Sequence, residues 1–132
     1  MPRRRFRPME EWEDPRHRAG LWGERVAMAF LTSCGWSIEA HRFRLGRHDV
    51  DVVARRGWTV AFVEVKTRRS DAFGSPFEAI GWEKRRVLAR VAALWRLRHG
   101  QPGDVYRFDV IGIRRRPGQP PEVEHLADAW RL

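Results

Sequence analysis

The stretch Val60-Ala61-Phe62-Val63-Glu64-Val65-Lys66-Thr67 decides how this chain folds. Its residues are mostly β-branched or aromatic and include no Gly or Pro, which predicts a strand that its own composition would bury. Yet the strand carries Glu64 and Lys66. Side chains alternate along a strand, so Phe62, Glu64 and Lys66 share one face and Val63 and Val65 the other. Taking a carboxylate and an ammonium out of water is costly unless they are paired or bound to something charged. The plain reading is an ion pair on a half-exposed edge strand. The surrounding sequence bears on whether it is more than that.

Upstream, Asp49 to Arg55 reads as a strand, and Arg56-Gly57 as a tight reversal into the Glu64 strand. Val50, Val52 and Ala54 share one of its faces, and Asp49, Asp51 and Val53 the other. A two-residue or a four-residue loop puts Asp51 on the face of Phe62, Glu64 and Lys66, whereas a three-residue loop with no compensating shift puts it opposite. Leu45 to His48 forms a turn around Gly46, preceded by a first strand from Trp36 to Arg44. Ala19 to Cys34 reads as a helix, with Leu21, Ala27, Met28, Leu31 and Cys34 as its stripe and Gly35 as its stop. Glu24 falls on the inward stripe, and two readings stand: a site acid, or a surface glutamate favoured by the helix dipole. Met1 to Arg18 mixes arginines, acids and prolines without a period. It reads as a disordered arm, leaving residues 19–132 as one domain.

Downstream, Thr67 to Gly74 reads as an irregular loop. Ser75-Pro76-Phe77-Glu78 is a capping box that opens a helix running to about His99, with Gly100 as its stop. Val87, Leu88, Val91, Leu94 and Trp95 form that helix's stripe. Lys84 precedes Leu88 by four and Val91 by seven, so it either points toward the sheet near the site or snorkels to water. Val105 to Ile113 makes a fourth strand holding Arg107 and Asp109, and Glu122 to Leu126 a short closing strand. The order is α-β-β-β-α-β with a closing strand, an α/β fold whose mixed central sheet is flanked by helices.

Composition narrows the function. The 132 residues, 42% hydrophobic, suit one domain with a real core. No apolar run approaches a membrane span or a signal segment, so a cytoplasmic protein is expected. The one cysteine, Cys34, excludes an internal disulfide and any multi-cysteine zinc site, and it reads as a small core residue. The five histidines lack zinc-ligand spacing, and no Walker loop or dinucleotide fingerprint occurs. A formal charge of +9 suggests a polyanionic partner, nucleic acid ahead of an anionic membrane surface. Of 26 Lys and Arg residues only Lys66 and Lys84 are lysines, and there is no Asn, which looks like a coding bias. A lysine that persists against such a bias places a compact point charge where a planar guanidinium would not serve.

Asp51 and Glu64 offer hard oxygen ligands of the kind magnesium or manganese prefers, and the Val65 carbonyl could add a third. Such an ion would polarise a phosphodiester and lower the pKa of a bound water. Lys66 would hold that water or neutralise charge growing on the phosphate.

The run Gly46 to Ala54, G-R-H-D-V-D-V-V-A, followed by E-V-K at Glu64 to Lys66, resembles the Asp, Glu-x-Lys core of the restriction-endonuclease-like nucleases. With L-W-G-E-R-V-A from Leu21, F-V-E-V-K-T-R from Phe62, Lys84 and Y-R-F-D-V-I from Tyr106, the chain closely resembles the bacterial YraN-like family between Ala19 and Trp130. That family is regarded as distantly related to archaeal Holliday-junction resolvases. The resemblance implies the restriction-endonuclease-like fold, Asp51 and Glu64 as metal ligands, Lys66 as catalytic lysine and Glu24 as a helix-borne acid, with Lys84 matching a family lysine of less defined role. Two positions depart from the pattern: Asp49 stands where a glutamate is usual, and His41 where an asparagine is expected.

Two functions follow. The first is a metal-dependent endonuclease acting on DNA, branched or structured DNA included, with Arg42, Arg44, Arg47, Arg68 and Arg69 gripping phosphates. The second is a nucleic-acid-binding or assembly module that keeps the fold without turnover. A pure binder has no reason to bury two acids and a lysine together, which favours the first. Trp58, in the hairpin turn, could stack on an unpaired base. The sequence is silent on DNA against RNA, and on the homodimer that junction-cutting enzymes commonly form.

Overall fold

A computed structural model describes residues 15–69 and 80–131. The capping box at Ser75 and the first 14 residues of the expected arm lie outside the described residues. The elements are α1 (Pro15–Ser33), β1 (Ser37–Leu45), β2 (His48–Arg56), β3 (Thr59–Arg69), α2 (Trp82–His99), β4 (Val105–Arg115) and β5 (Glu122–Trp130). They build a five-stranded sheet in sequence order, antiparallel except for the parallel β3–β4 pair that α2 connects. This is the expected mixed α/β architecture. No described helix is long and apolar enough to cross a membrane.

Strand β3 is central and buried on both faces. Val60 and Phe62 face α2, joining Leu88, Val91 and Trp95, while Ala61 and Val63 face α1, joining Ala27, Leu31 and Trp36. Phe62 anchors the first layer, with ring centroids 5.8 Å from Trp95, 5.9 Å from Tyr106 and 5.7 Å from Phe108. Burying a side chain of that size contributes roughly 1.5 to 3 kcal/mol. The α1 layer begins where the helix stops. Gly35 has φ +89, Trp36 N–H donates to Leu31 O at 3.0 Å, and Gly35 N–H donates to Thr32 O at 3.1 Å, the paired bonds of a Schellman turn. That turn drives Trp36 into the core beside Leu31.

Several boundaries differ from the sequence reading, each for a local reason. Helix α1 begins at Pro15, inside the expected arm. Cys34 is exposed rather than a core residue, since it lies one residue past α1, in the turn that Gly35 closes. Helix α2 begins at Trp82 behind an extended Gly81, so no single helix runs from Ser75 to His99. Strand β3 continues through Arg69, where a loop was expected, because parallel pairing to β4 carries it on as Arg68↔Arg114 and Arg69↔Arg115. Strand β5 runs nine residues to Trp130, held by β4, rather than ending at Leu126.

Candidate active site

The β2–β3 turn is two residues long, Gly57 and Trp58, between the paired Arg56 and Thr59. Gly57 takes φ +61, a conformation that suits glycine. From this turn the register runs to Val52↔Val63, where the ladder ends, with Asp51 and Glu64 next in line. The Asp51 carboxylate then takes the place of a main-chain partner, its Oδ2 accepting the Val65 N–H at 2.8 Å. The N–H and C=O of one strand residue point the same way, so the Val65 carbonyl also faces this seam. Strand β2 slips as it passes: Val50 and Val53, three apart, both pack on the α2 side. Asp51 is thereby held at the seam between β2 and β3.

Glu64 is buried, with its side chain 3% exposed. Its Oε2 lies 3.8 Å from Lys84 Nζ, and its Oε1 is buried without a hydrogen-bond partner. An unpaired buried oxygen costs about 1 to 3 kcal/mol, a cost that a bound cation would relieve. Burial, and then the neighbouring Asp51 charge, hold Glu64 well above the ordinary glutamate range, with Lys84 and Lys66 pulling the other way. Burial and then the charge of Glu24 push Asp51 up to about 6, against the downward pull of the Val65 N–H. Burial and like charge thus favour the neutral form of each carboxyl, and a nearby positive charge favours the ionised form. Lys66, on β3 two residues beyond Glu64, is half-buried and acts on Glu64 through its charge.

Glu24 comes from α1 and is 5% exposed. Gly23 beside it permits the approach, since a Cβ there would collide with the Thr67 hydroxyl of β3. Its carboxylate is clamped: Oε1 lies 2.6 Å from His41 Nε2, Arg42 Nε donates to Oε1 at 2.8 Å, and Arg42 Nη2 donates to Oε2 at 2.9 Å. Burial would raise its pKa, but the bonds from His41 and Arg42 outweigh that and hold it below the ordinary value. Arg42 adopts φ +56, unusual for a residue with a side chain, and the kink lets consecutive residues of β1 reach one carboxylate.

The structure thus gathers Asp51, Glu64, Lys66 and Lys84 at one site, with Glu24 close enough to raise Asp51 but tied to β1. Among the described residues no three His, Cys, Asp or Glu side chains form a group able to hold a metal ion. The oxygens available to a hard cation are those of Asp51, Glu64 and the Val65 carbonyl. Of the expected phosphate contacts, Arg42 is engaged by Glu24. Arg44 is exposed, 3.9 Å from Asp49. Arg47 is exposed in the β1–β2 turn, and Arg68 is half-buried on β3 near Glu122 and Glu124. Arg69 ends β3, its side chain outside the described set. Trp58 is exposed but sits at the opposite end of β3 from Glu64, against Gly103.

A second buried acid has no part in this site. Asp109 accepts from Arg107 at 3.0 Å twice and from the Asp128 N–H at 2.9 Å, and lies 2.7 Å from His125. These bonds outweigh burial and keep it below the ordinary aspartate value. They span the register shift after Phe108, so Asp109 fastens β5 to β4. The i,i+2 spacing of Arg107 and Asp109 hinted at the first pair; nothing local in sequence pointed to His125 or Asp128.

Residues 23–113 match the model of Uncharacterised protein family UPF0102. A UPF0102 protein of Nocardia farcinica is 41% identical over 107 residues, covering 81% of this chain and 84% of the relative. One from Geobacter sulfurreducens is 39% identical over 113 residues, covering 86% and 88%. Another, from Symbiobacterium thermophilum, is 41% identical over 100 residues, covering 76% and 85%. The matched span holds Glu24, Asp51, Glu64, Lys66 and Lys84, and the chain belongs to the UPF0102 family.

Proposed function

We propose that the protein is a metal-dependent phosphodiesterase that cuts DNA, branched or structured DNA included, with Asp51, Glu64 and the Val65 carbonyl holding Mg2+ or Mn2+. The observation that carries this reading is a pair of carboxyls on adjacent strands, Asp51 half-buried and Glu64 buried, with one Glu64 oxygen that has no hydrogen-bond partner. The ion, when bound, would polarise the scissile phosphate and activate a water. The protein's own groups supply the rest. Asp51 is oriented by the Val65 N–H. Lys84 and Lys66 place positive charge beside Glu64, where charge would grow on the phosphate. Arg44 and Arg47 stand at the same end of the sheet, on the β1–β2 hairpin, where phosphate contacts would position the strand without reading bases. The resemblance to restriction-endonuclease-like nucleases and junction resolvases points the same way.

One observation favours the second reading, a nucleic-acid-binding or assembly module: the third acid, Glu24, is already satisfied by His41 and Arg42. Variants separate the two. Asp51→Asn and Lys66→Ala should abolish Mg2+- or Mn2+-dependent cutting of labelled DNA while binding in chelator persists. If both cut like the wild type, the proposed site is wrong.

A further inference from the structure

The outward face of α2 is basic in a way the helix itself does not favour. Lys84, Arg85 and Arg86 fall within its first five residues, where the helix dipole disfavours cations, against one acid, Glu83. Arg86 and Arg90 stand four apart, a like-charge spacing that weakens a helix. Both are exposed, and neither has an ion pair or hydrogen bond among the described residues. By contrast, Arg55 is matched by Glu39 and Asp104, Arg116 by Glu122, and Arg131 by Asp128. The helix neighbours of the pair are also occupied, since Arg85 donates to Ile80 O and lies over Trp130, and Arg96 lies over Tyr106.

Trp82, Arg86, Arg90, Ala93 and Leu97 recur at helical spacing and form one outward stripe opposite the buried Leu88, Val91 and Trp95. The stripe starts in the same turn as Lys84, which points the other way, its Nζ 3.8 Å from Glu64. Its two large apolar residues, Trp82 and Leu97, are 68% and 82% exposed, and at ~1.5 Å per residue they stand ~22 Å apart. Arginine fills the space between them, so the face offers no continuous apolar surface to insert into a membrane.

From this we infer that the outward face of α2, through Arg86 and Arg90, is a second contact surface for nucleic acid, taking the phosphate backbone of a duplex arm that leads away from the site. The inference rests on the nucleic-acid reading above for its choice of polyanion, and not on turnover.

The test is binding of a fluorescein-labelled DNA duplex in chelator, by anisotropy, from about 50 to about 200 mM salt, for wild type, R86Q/R90Q and the control R116Q/R131Q. Two phosphate contacts contribute about 1.8 to the slope of log affinity against log salt. The salt-induced affinity loss should therefore shrink about 12-fold in R86Q/R90Q and change little in the control. A thermal melt of R86Q/R90Q no lower than wild type shows that the fold is intact. An unchanged slope overturns the inference, and so does an equal fall in the control, which would mean net charge alone. Absence of duplex binding by the wild type, or loss of binding to vesicles rich in anionic lipid with duplex binding unaltered, also overturns it. The assay contains no metal, so failure of the nuclease reading leaves its result standing.

Discussion

Replacing Asp51 with asparagine should make the metal-free protein more stable, and only above a certain pH. The Asp51 carboxyl is pushed up to about 6 from an ordinary 3.8 by burial and by the charge of Glu24. The folded state therefore keeps a proton that the unfolded chain gives up first. Below about pH 4 both states are protonated and the site is neutral to folding. Between about pH 4 and 6 stability falls as pH rises, and above about pH 6 the full cost is in place. The gap between about 6 and 3.8, at ~1.4 kcal/mol per pH unit, comes to about 3 kcal/mol as an upper bound. Asparagine removes the charge while its Oδ1 still accepts the Val65 N–H, which Asp51 now holds at 2.8 Å. In a chain of 132 residues each kcal/mol moves Tm by about 3 to 5 °C. Asp51→Asn should melt up to about 15 °C higher than wild type at pH 8 in chelator, with the gap closing near pH 4. Mg2+ or Mn2+ should close most of that gap at a hundred times its Kd, where it adds about 2.7 kcal/mol to the wild type and little to the variant, and reverse the order at a thousand times, where it adds about 4.1 kcal/mol. Thermal melts at pH 4, 6 and 8, with and without metal, measure all of this. A variant less stable than wild type at pH 8, or a difference that does not change with pH, would refute the reasoning.

Arg42→Ala strips two hydrogen bonds from buried Glu24 and leaves His41 as its remaining clamp. It should cost about 2 to 3 kcal/mol in a denaturant titration at pH 7, and a loss under 0.5 kcal/mol would show that the clamp carries no stability. Gly23→Ala drives a methyl group into the Thr67 hydroxyl and should cost about 1 to 3 kcal/mol, partly recovered in the double variant with Thr67→Ala. Additive losses in that pair would mean that α1 does not press on β3 there. Gly35→Ala places a side chain at φ +89 in the Schellman turn and should lower stability by about 1 kcal/mol, an estimate checked by the same titration.

What could be read from the sequence was what short-range periodicity controls. Alternation placed Glu64 and Lys66 together on β3, and the parity of the hairpin brought Asp51 beside Glu64 although the turn lies one residue later than expected. The long-range contacts were not legible. The Glu24 clamp depends on a left-handed Arg42 that no propensity favours, and Asp109 finds His125 and the Asp128 N–H only once β5 has docked. The length of β5 and the reach of β3 to Arg69 were hidden for a related reason, because partner strands, not their own polar sequences, sustain them. The exposure of Cys34 follows from a turn geometry that a hydrophobic stripe does not report.

The central claim is that the Asp51–Glu64 pair supports metal-dependent cutting of DNA. Its most direct test is incubation of labelled duplex, single-stranded, flap and four-way-junction DNA with the protein in Mg2+, Mn2+ or EDTA, beside Glu64→Ala. The account predicts cutting of at least one substrate with metal, none in EDTA and none by the variant. Tight, salt-sensitive binding with no cutting under either metal, or cutting that survives Glu64→Ala, would contradict it.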